Sequence, residues 1–364
     1  MAVGFAQWGN DLYTGKRSYD IVGRRRMWFT ISGVLVLAAI VLLFVPGLNP
    51  GIDFRGGSEF VVTGAANRDQ QKAVDVVAAI DSQEVALVTN MGTDSLRVQT
   101  RELSSDQTEQ VREGLATAYG VDVNHVTSTF IGPTWGADVS RKAVTGLVVF
   151  LVLVAGVMTL YFRNWRMAVA AIVALFHDIL ITAGVYAAVG WEVTPATVIG
   201  FLTILGYSIY DTVVVFDKVR ENTDGVIHQS RYTYSEKANL AVNQTLVRSI
   251  NTSVVALLPV AGILFIGAFV LGAGTLRDIA LALFVGMLVG AYSSIFLATP
   301  LEVELREREP EISALRKRVL ANRAAAAAGG EPVAAGAGIA TTFVGPLHPG
   351  AHQGFAAQPK RRRK

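Results

Sequence analysis

Six stretches of this chain are long and apolar enough to cross a lipid bilayer, and they limit every other reading of it. A bilayer core takes about 20 apolar residues per helix. In hydrocarbon each backbone N–H and C=O must be paired within the chain, so such stretches are helical. They cover residues 27–45, 143–162, 168–189, 196–216, 246–271 and 279–298. Charged residues form 17% of the 364, against about 25% in soluble domains, and the deficit is concentrated in these stretches. The first stretch follows a polar segment and has no small-residue cleavage site, so it is expected to be a retained helix rather than a leader.

The flanks set an orientation. Lys16, Arg17, Arg24, Arg25 and Arg26 precede the first stretch. Arg163 and Arg166 join the second to the third, and Lys218, Arg220, Arg231 and Lys237 lie between the fourth and fifth. Arg306, Arg308, Arg316, Lys317 and Arg318 follow the sixth. The link "GWEVTP" has no Lys or Arg, and only Arg277 lies between the fifth and sixth. Basic residues mark cytoplasmic loops, so both termini are expected in the cytoplasm and residues 46–142 outside.

That segment carries its own pattern. Strands are expected at 58–63, 85–89, 95–100 and 125–131, with a turn-rich "NMGTD" between the middle two. Helices are expected at 67–80, with Val74, Val77 and Ile80 inward, and at 104–119, with Val111, Leu115 and Ala118 inward. The order is βαββαβ, a ferredoxin-like unit. The expected fold is thus a polytopic α-helical membrane protein of six transmembrane helices, with a small α+β external domain between helices 1 and 2. Its divisions are 1–26, an N-terminal cytoplasmic segment; 27–45, the first helix; 46–142, the external domain; 143–299, five helices; 300–321, a basic cytoplasmic segment; and 322–364, an Ala/Gly/Pro-rich tail with a basic end. The tail has too little apolar surface to fold, and Lys360–Lys364 suits anionic lipid headgroups.

The chain has no Cys, which excludes disulfides, thiolate metal sites and thiol nucleophiles. Its net charge of +3 makes no case for nucleic acid. "GIDFRGGSEF" (51–60) lacks the G-K-[ST] ending of a phosphate loop. An RGG element and a hinge from the first helix into the external domain stay open at this point; in the hinge, Gly51, Gly56 and Gly57 allow tight turns and Asp53 and Arg55 set the domain's angle.

Ionisable residues inside the membrane need a reason, since each costs about 2.5–3.5 kcal/mol at mid-bilayer on insertion scales. The third stretch holds His177 and Asp178, the fourth Asp211 and, at its cytoplasmic mouth, Asp217; the fifth begins with Arg248, Asn251, Thr252 and Ser253. Asp211 and Arg248 are expected at similar depth. A guanidinium beside a buried carboxyl favours its ionised form, and withdrawal of the cation favours the neutral acid, so this pair is the proton-coupling candidate. A static ion pair and a snorkelling Arg248 are the structural alternatives. His177, Asp178, Tyr210, Asp217, Asn251 and Thr252 are candidates for a relay or for polar packing. Asp217 is read as an interfacial residue facing Lys218 and Arg220. A sodium ion would instead need several oxygens, for which Asp211, Thr212, Asn251 and Ser253 are available. Gly200, Gly206, Gly286 and Gly290 suit close helix contact, and Pro259 suits a kink in the fifth helix.

"GIDFRGGSEF", "FHD", "GYSIYDTVVVFDKVREN" and "NQTLVRSINTSVVALLPV" together resemble the SecF branch of the bacterial SecD/SecF family, over roughly residues 20–300. The resemblance implies a resistance–nodulation–division fold whose other half is SecD. It implies a non-enzymatic role in late, Sec-dependent protein export across the plasma membrane, driven by the proton-motive force. It implies contacts with SecD, the SecYEG translocon, YajC, unfolded exported polypeptide and membrane lipid, with no nucleic acid, cofactor or metal. The family's functional Asp and Arg fall on Asp211 and Arg248. Tyr210 departs from the Asn common in relatives, and the long tail departs from the common pattern. A small-molecule exporter of the same superfamily and a non-transporting scaffold of the translocase stay open beside this reading.

Overall fold

Apolar side chains recur here without the two-residue alternation of strands, and the described residues of each apolar stretch are helical, the fifth and sixth passing into π-helical turns; residues 269–271 of the fifth lie outside the described residues. The computed structural model describes residues 4–81, 86–91, 94–268 and 274–327. The elements are α1 (Phe5–Tyr13), α2 (Arg25–Phe44), β1 (Asn49–Pro50), α3 (Ile52–Arg55), β2 (Gly57–Val62), α4 (Gln70–Ile80), β3 (Leu87–Met91), β4 (Ser95–Thr100), α5 (Ser105–Tyr119), β5 (Val126–Ile131), α6 (Pro133–Phe162), α7 (Trp165–Val189), β6 (Glu192–Val193), α8 (Pro195–Thr223), α9 (Tyr234–Gly262), α10 (Gly274–Ser293), α11 (Thr299–Glu307) and α12 (Pro310–Ala327). The six membrane-length helices are α2, α6, α7, α8, α9 and the run from α10 into α11. A chain with six such helices is a multi-pass membrane protein.

Several helices outrun the stretches expected. α6 starts at Pro133, where Pro at the first turn gives up no hydrogen bond. α9 starts at Tyr234 behind a Thr233–Glu236 capping box, which supplies the first N–H groups with acceptors. Pro259 lies inside α9, and a π-helical turn follows at Ile263–Ala268. A second π-helical turn, Ser294–Ala298, joins α10 to α11.

The small sheet runs β3-β4-β2-β5, antiparallel throughout. Side chains alternate across it. Phe60, Val62, Leu96 and Val98 are buried with Val111 and Leu115 of α5. Glu59, Arg97 and Gln99 lie at the intervening positions. α4 turns Ala73 and Val77 into this core, not Val74, because the residue four along shares the face. On α5, Ala116 and Tyr119 join Val111 and Leu115 in the core, with Ala118 partly buried. The centre of "NMGTD" lies outside the described residues.

The N-terminal segment is not featureless. Gly9 of α1 lies against Val247 of α9. The backbone N–H groups of Ile21 and Val22 donate to Asn239 Oδ1 (2.9 and 3.0 Å), and Tyr19 N–H donates to Asn243 Oδ1 (2.7 Å). At the same end, residues 322–327 belong to α12 rather than to an unstructured tail. Asn322 is buried there, and Arg323 pairs with Glu236 at 2.8 Å. The tail from 328, with Lys360–Lys364, lies outside the described residues.

Small residues let the helices meet closely. A Cβ at Gly286 would lie 2.2 Å from Ile204, and one at Gly200 would lie 2.7 Å from the Ala282 Cβ. Gly290 faces Ser208, whereas Gly206 has open space beside it. α7 is the most buried of the six helices and α6 the least.

Candidate functional site

Two apolar clusters fill the bundle. One, with Leu12, Phe216, Tyr234 and Leu315, lies toward the end that holds the described N- and C-terminal segments. The other, with Tyr186, Ile204, Leu264 and Met287, lies toward the sheet domain. Along α7 and α8, the polar positions His177, Asp178, Ser208 and Asp211 fall between them. All four are buried, at 3%, 1%, 0% and 4% exposure.

Each carboxyl is met by hydroxyls. Ser249 Oγ of α9 donates to Asp211 Oδ1 at 2.8 Å, and Ser294 Oγ donates to Asp211 Oδ2 at 2.5 Å. Ser208 Oγ and Ser293 Oγ donate to Asp178 Oδ2 at 2.6 and 2.9 Å. His177 Nδ1 lies 3.1 Å from Asp178 Oδ1. The His177 ring stacks on Tyr292, whose hydroxyl bonds Ser32 Oγ of α2. Among the described residues, His177 Nε2 is buried without a hydrogen-bond partner.

Arg248 does not stand beside Asp211. Its neighbour Ser249 takes that place, and Arg248 is exposed, lining an open groove with Asp217, Lys218, Arg220, Glu221 and Asp224. The depth expected for the pair holds, but successive helical residues point about 100° apart, and this one-residue phase turns the guanidinium outward. Among the described residues Asp211 has no ion pair.

The other candidates divide. Asp217 accepts from the Tyr161 hydroxyl at 3.1 Å, while Lys218 pairs with Glu221 and Arg220 reaches the Tyr161 carbonyl. Tyr210 is 54% exposed on the outer face of α8, one residue out of phase with Asp211, so it forms no relay here. Asn251 is exposed, Thr252 bonds the Arg248 carbonyl of its own helix, and Ser253 accepts from Tyr207. Of the four oxygen residues considered for sodium, Asn251 and Ser253 therefore do not turn to Asp211.

The glycine-rich stretch is a close-fitting junction. Gly51 opens the single turn α3, and its N–H donates to the Val193 carbonyl at 2.9 Å. Gly56 and Gly57 have φ of 79° and 139°, and a Cβ on Gly57 would lie 2.3 Å from the Thr100 carbonyl oxygen. Asp53 is half-buried; burial and the nearby Glu59 and Glu192 push its carboxyl above the usual range. Arg55 is exposed and does not hold the domain. Glu192 does, a residue that sequence reasoning missed. It accepts from Gln99 Nε2 at 2.8 Å and from Arg97 Nη1 at 3.2 Å. Its own strand, β6, pairs in parallel with β1, Asn49 opposite Glu192. Two residues on, Thr194 caps α8, and its hydroxyl donates to Asp278 Oδ2 at 3.3 Å. The only hint in the sequence was one acid in a link otherwise free of charge.

Residues 111–308 match the family described as protein export membrane protein SecD/SecF, C-terminal, and residues 41–64 match the SecD/SecF GG motif. The chain is 52% identical over 324 residues to the protein translocase subunit SecF of Streptomyces coelicolor, covering 89% of this chain and 86% of that protein. It is 44% identical over 321 residues to the subunit of the same name from Mycobacterium tuberculosis, covering 86% and 72%. The crystal structure of SecDF, a translocon-associated membrane protein from Thermus thermophilus, superposes with a TM-score of 0.69 at 32% identity. That match covers 80% of this chain but only 39% of the solved one.

Proposed function

This chain belongs to the SecD/SecF family of protein export membrane proteins, and from that premise we propose that it is the SecF-type accessory subunit of a Sec translocase, driven by protons through Asp211. SecD supplies the second half of the assembly, against the exposed sides of α2 and α6. SecYEG, YajC and emerging unfolded polypeptide are its further partners. The Lys and Arg pattern puts both termini in the cytoplasm and the sheet domain outside, in the ferredoxin-like form expected from its βαββαβ order.

The observation that carries this reading is the place of Asp211. It is a buried carboxyl in a membrane helix, held by two hydroxyls, with a guanidinium one residue away on the facing helix. A hydroxyl donates to a carboxylate and accepts from a carboxylic acid, so it serves both protonation states. A guanidinium only donates and keeps its charge. Turning α9 by about one residue, roughly 100°, exchanges Ser249 for Arg248 and favours the ionised form. The arrangement with Arg248 outward accommodates the protonated form. The groove around Arg248 and Asp217 is the cytoplasmic approach to the acid. Alternation between two such packings, passed through α8 to the Glu192 junction, moves the sheet domain against exported polypeptide.

The test is export of a secreted reporter in a strain whose sole subunit of this type carries Asp211→Asn, with membrane level and SecD co-purification checked. Asn keeps the size and loses the titration. The expected outcome is loss of export driven by the proton-motive force, with assembly intact. Normal export would remove the proton mechanism and leave a scaffold role ahead.

A further inference from the structure

Asp178 and Asp211 stand on different helices, yet consecutive residues of a third segment reach both. Ser293 is the last residue of α10 and Ser294 the first of the π-helical turn. Ser293 holds Asp178 and Ser294 holds Asp211. Each serine also has a second acceptor one turn back. Ser293 Oγ lies 3.2 Å from the Gly290 carbonyl, and Ser294 Oγ lies 3.4 Å from the Ala291 carbonyl. Ser208, three residues before Asp211 on α8, closes the same cluster on Asp178. Gly290 makes room, since a Cβ there would meet Ser208 at 3.2 Å and Asp178 Oδ2 at 3.6 Å.

We propose that the Ser293–Ser294 pair couples the two acids into one two-carboxyl proton site, with the π-helical turn as the element that responds. The inference rests on the reading of Asp211 as a titrating group. When either acid takes a proton, its O–H donates to the serine, and the serine hydroxyl turns to the carbonyl behind it. Such back-bonding within a helix bends it. The two carbonyls are neighbours in the turn before the π segment, so a change at one acid alters the backbone that positions the other serine. Ser293 and Ser294 are positioning residues, since neither carries the proton between sites. The other ionisable groups facing this cluster are His177 on α7, Tyr207 on α8 and Tyr292 on α10. Arg248 on α9 is the nearby cation and lies in the groove.

The test is infrared titration of the carboxyl bands in the purified full-length chain in lipid nanodiscs, with the Asp178 band assigned by its loss in Asp178→Asn. Groups coupled by about one pH unit or more titrate as a pair. In the otherwise native chain, Asp211→Asn is expected to displace the Asp178 midpoint by about that much. In Ser293→Ala/Ser294→Ala, the same Asp211→Asn change is expected to displace it little. Ser293→Thr/Ser294→Thr restores the hydroxyls and is expected to restore the displacement. Equal displacement with and without the hydroxyls overturns the proposal, as does failure of the Thr variant to restore it. Because this readout is independent of export, a normal export result for Asp211→Asn would remove the transport role while leaving the link between the acids standing.

Discussion

The junction around the start of α8 and the middle of the bundle both gather carboxylates away from bulk water, and they meet them with different chemistry. At the start, Arg97 lies 3.2 Å from Glu192 and 3.5 Å from Glu59, and Arg277 lies 3.4 Å from Asp278. In the middle, the first contacts of Asp178 and Asp211 are four serine hydroxyls and one imidazole. A guanidinium opposite an acid fixes one charge state. Hydroxyls tolerate either. On the proposed reading, the junction keeps its charges and the middle of the bundle changes them.

The sharpest way to break this contrast is to remove a cation at the junction. Arg97→Leu leaves the partly buried Glu192 and Glu59 without their guanidinium, and the loss of a hydrogen bond to a charged group costs about 1.5–3 kcal/mol. Thermal unfolding of the purified chain is expected to show that loss, and an unchanged midpoint would reduce the junction to an ornament. Ser249→Ala removes one neutral hydrogen bond in the middle, worth about 1 kcal/mol. Its expected signature is a small change in the same midpoint with a displaced pH profile of export. A destabilisation as large as that of Arg97→Leu would erase the distinction between the regions.

The smallest effect is at Asp53. Its carboxyl is pushed up by burial first, then by Glu59 and Glu192, with Arg97 opposing. The folded state thus binds this proton more tightly than the unfolded chain. Its contribution to stability is full below the ordinary carboxylate range and is lost as pH rises through the raised value. Asp53→Asn is expected to flatten that slope in a pH series of unfolding midpoints, and an unchanged slope would assign it to another group.

Much of the architecture was legible because periodicity survives in a single sequence. The strand 95–100 falls where alternation puts it, and α5 (Ser105–Tyr119) falls within a residue of the helix that its apolar face marked at 104–119. The site was legible in depth but not in direction. A rise of about 1.5 Å per residue puts Arg248 level with Asp211, yet the side of the helix depends on packing partners. The serines were missed for a related reason. A hydroxyl in a membrane helix ordinarily bonds the carbonyl a turn back, as Thr182 and Thr203 do here, and nothing local marks Ser249, Ser293 and Ser294 as exceptions. Glu192 was missed because a two-residue parallel bridge leaves no periodic trace.

The bonds from Asn239 and Asn243 to the backbone at Tyr19, Ile21 and Val22 reach beyond local order. With Gly9 seated on Val247, they fasten the opening of the chain to α9 at several points below Arg248 and Ser249. In the proposed exchange of Ser249 for Arg248, a turn of α9 would carry that opening segment with it, like a needle on its spindle. The position of α1, seated by Leu12 in the bundle's own core, would then be a dial for the proposed exchange of side chains.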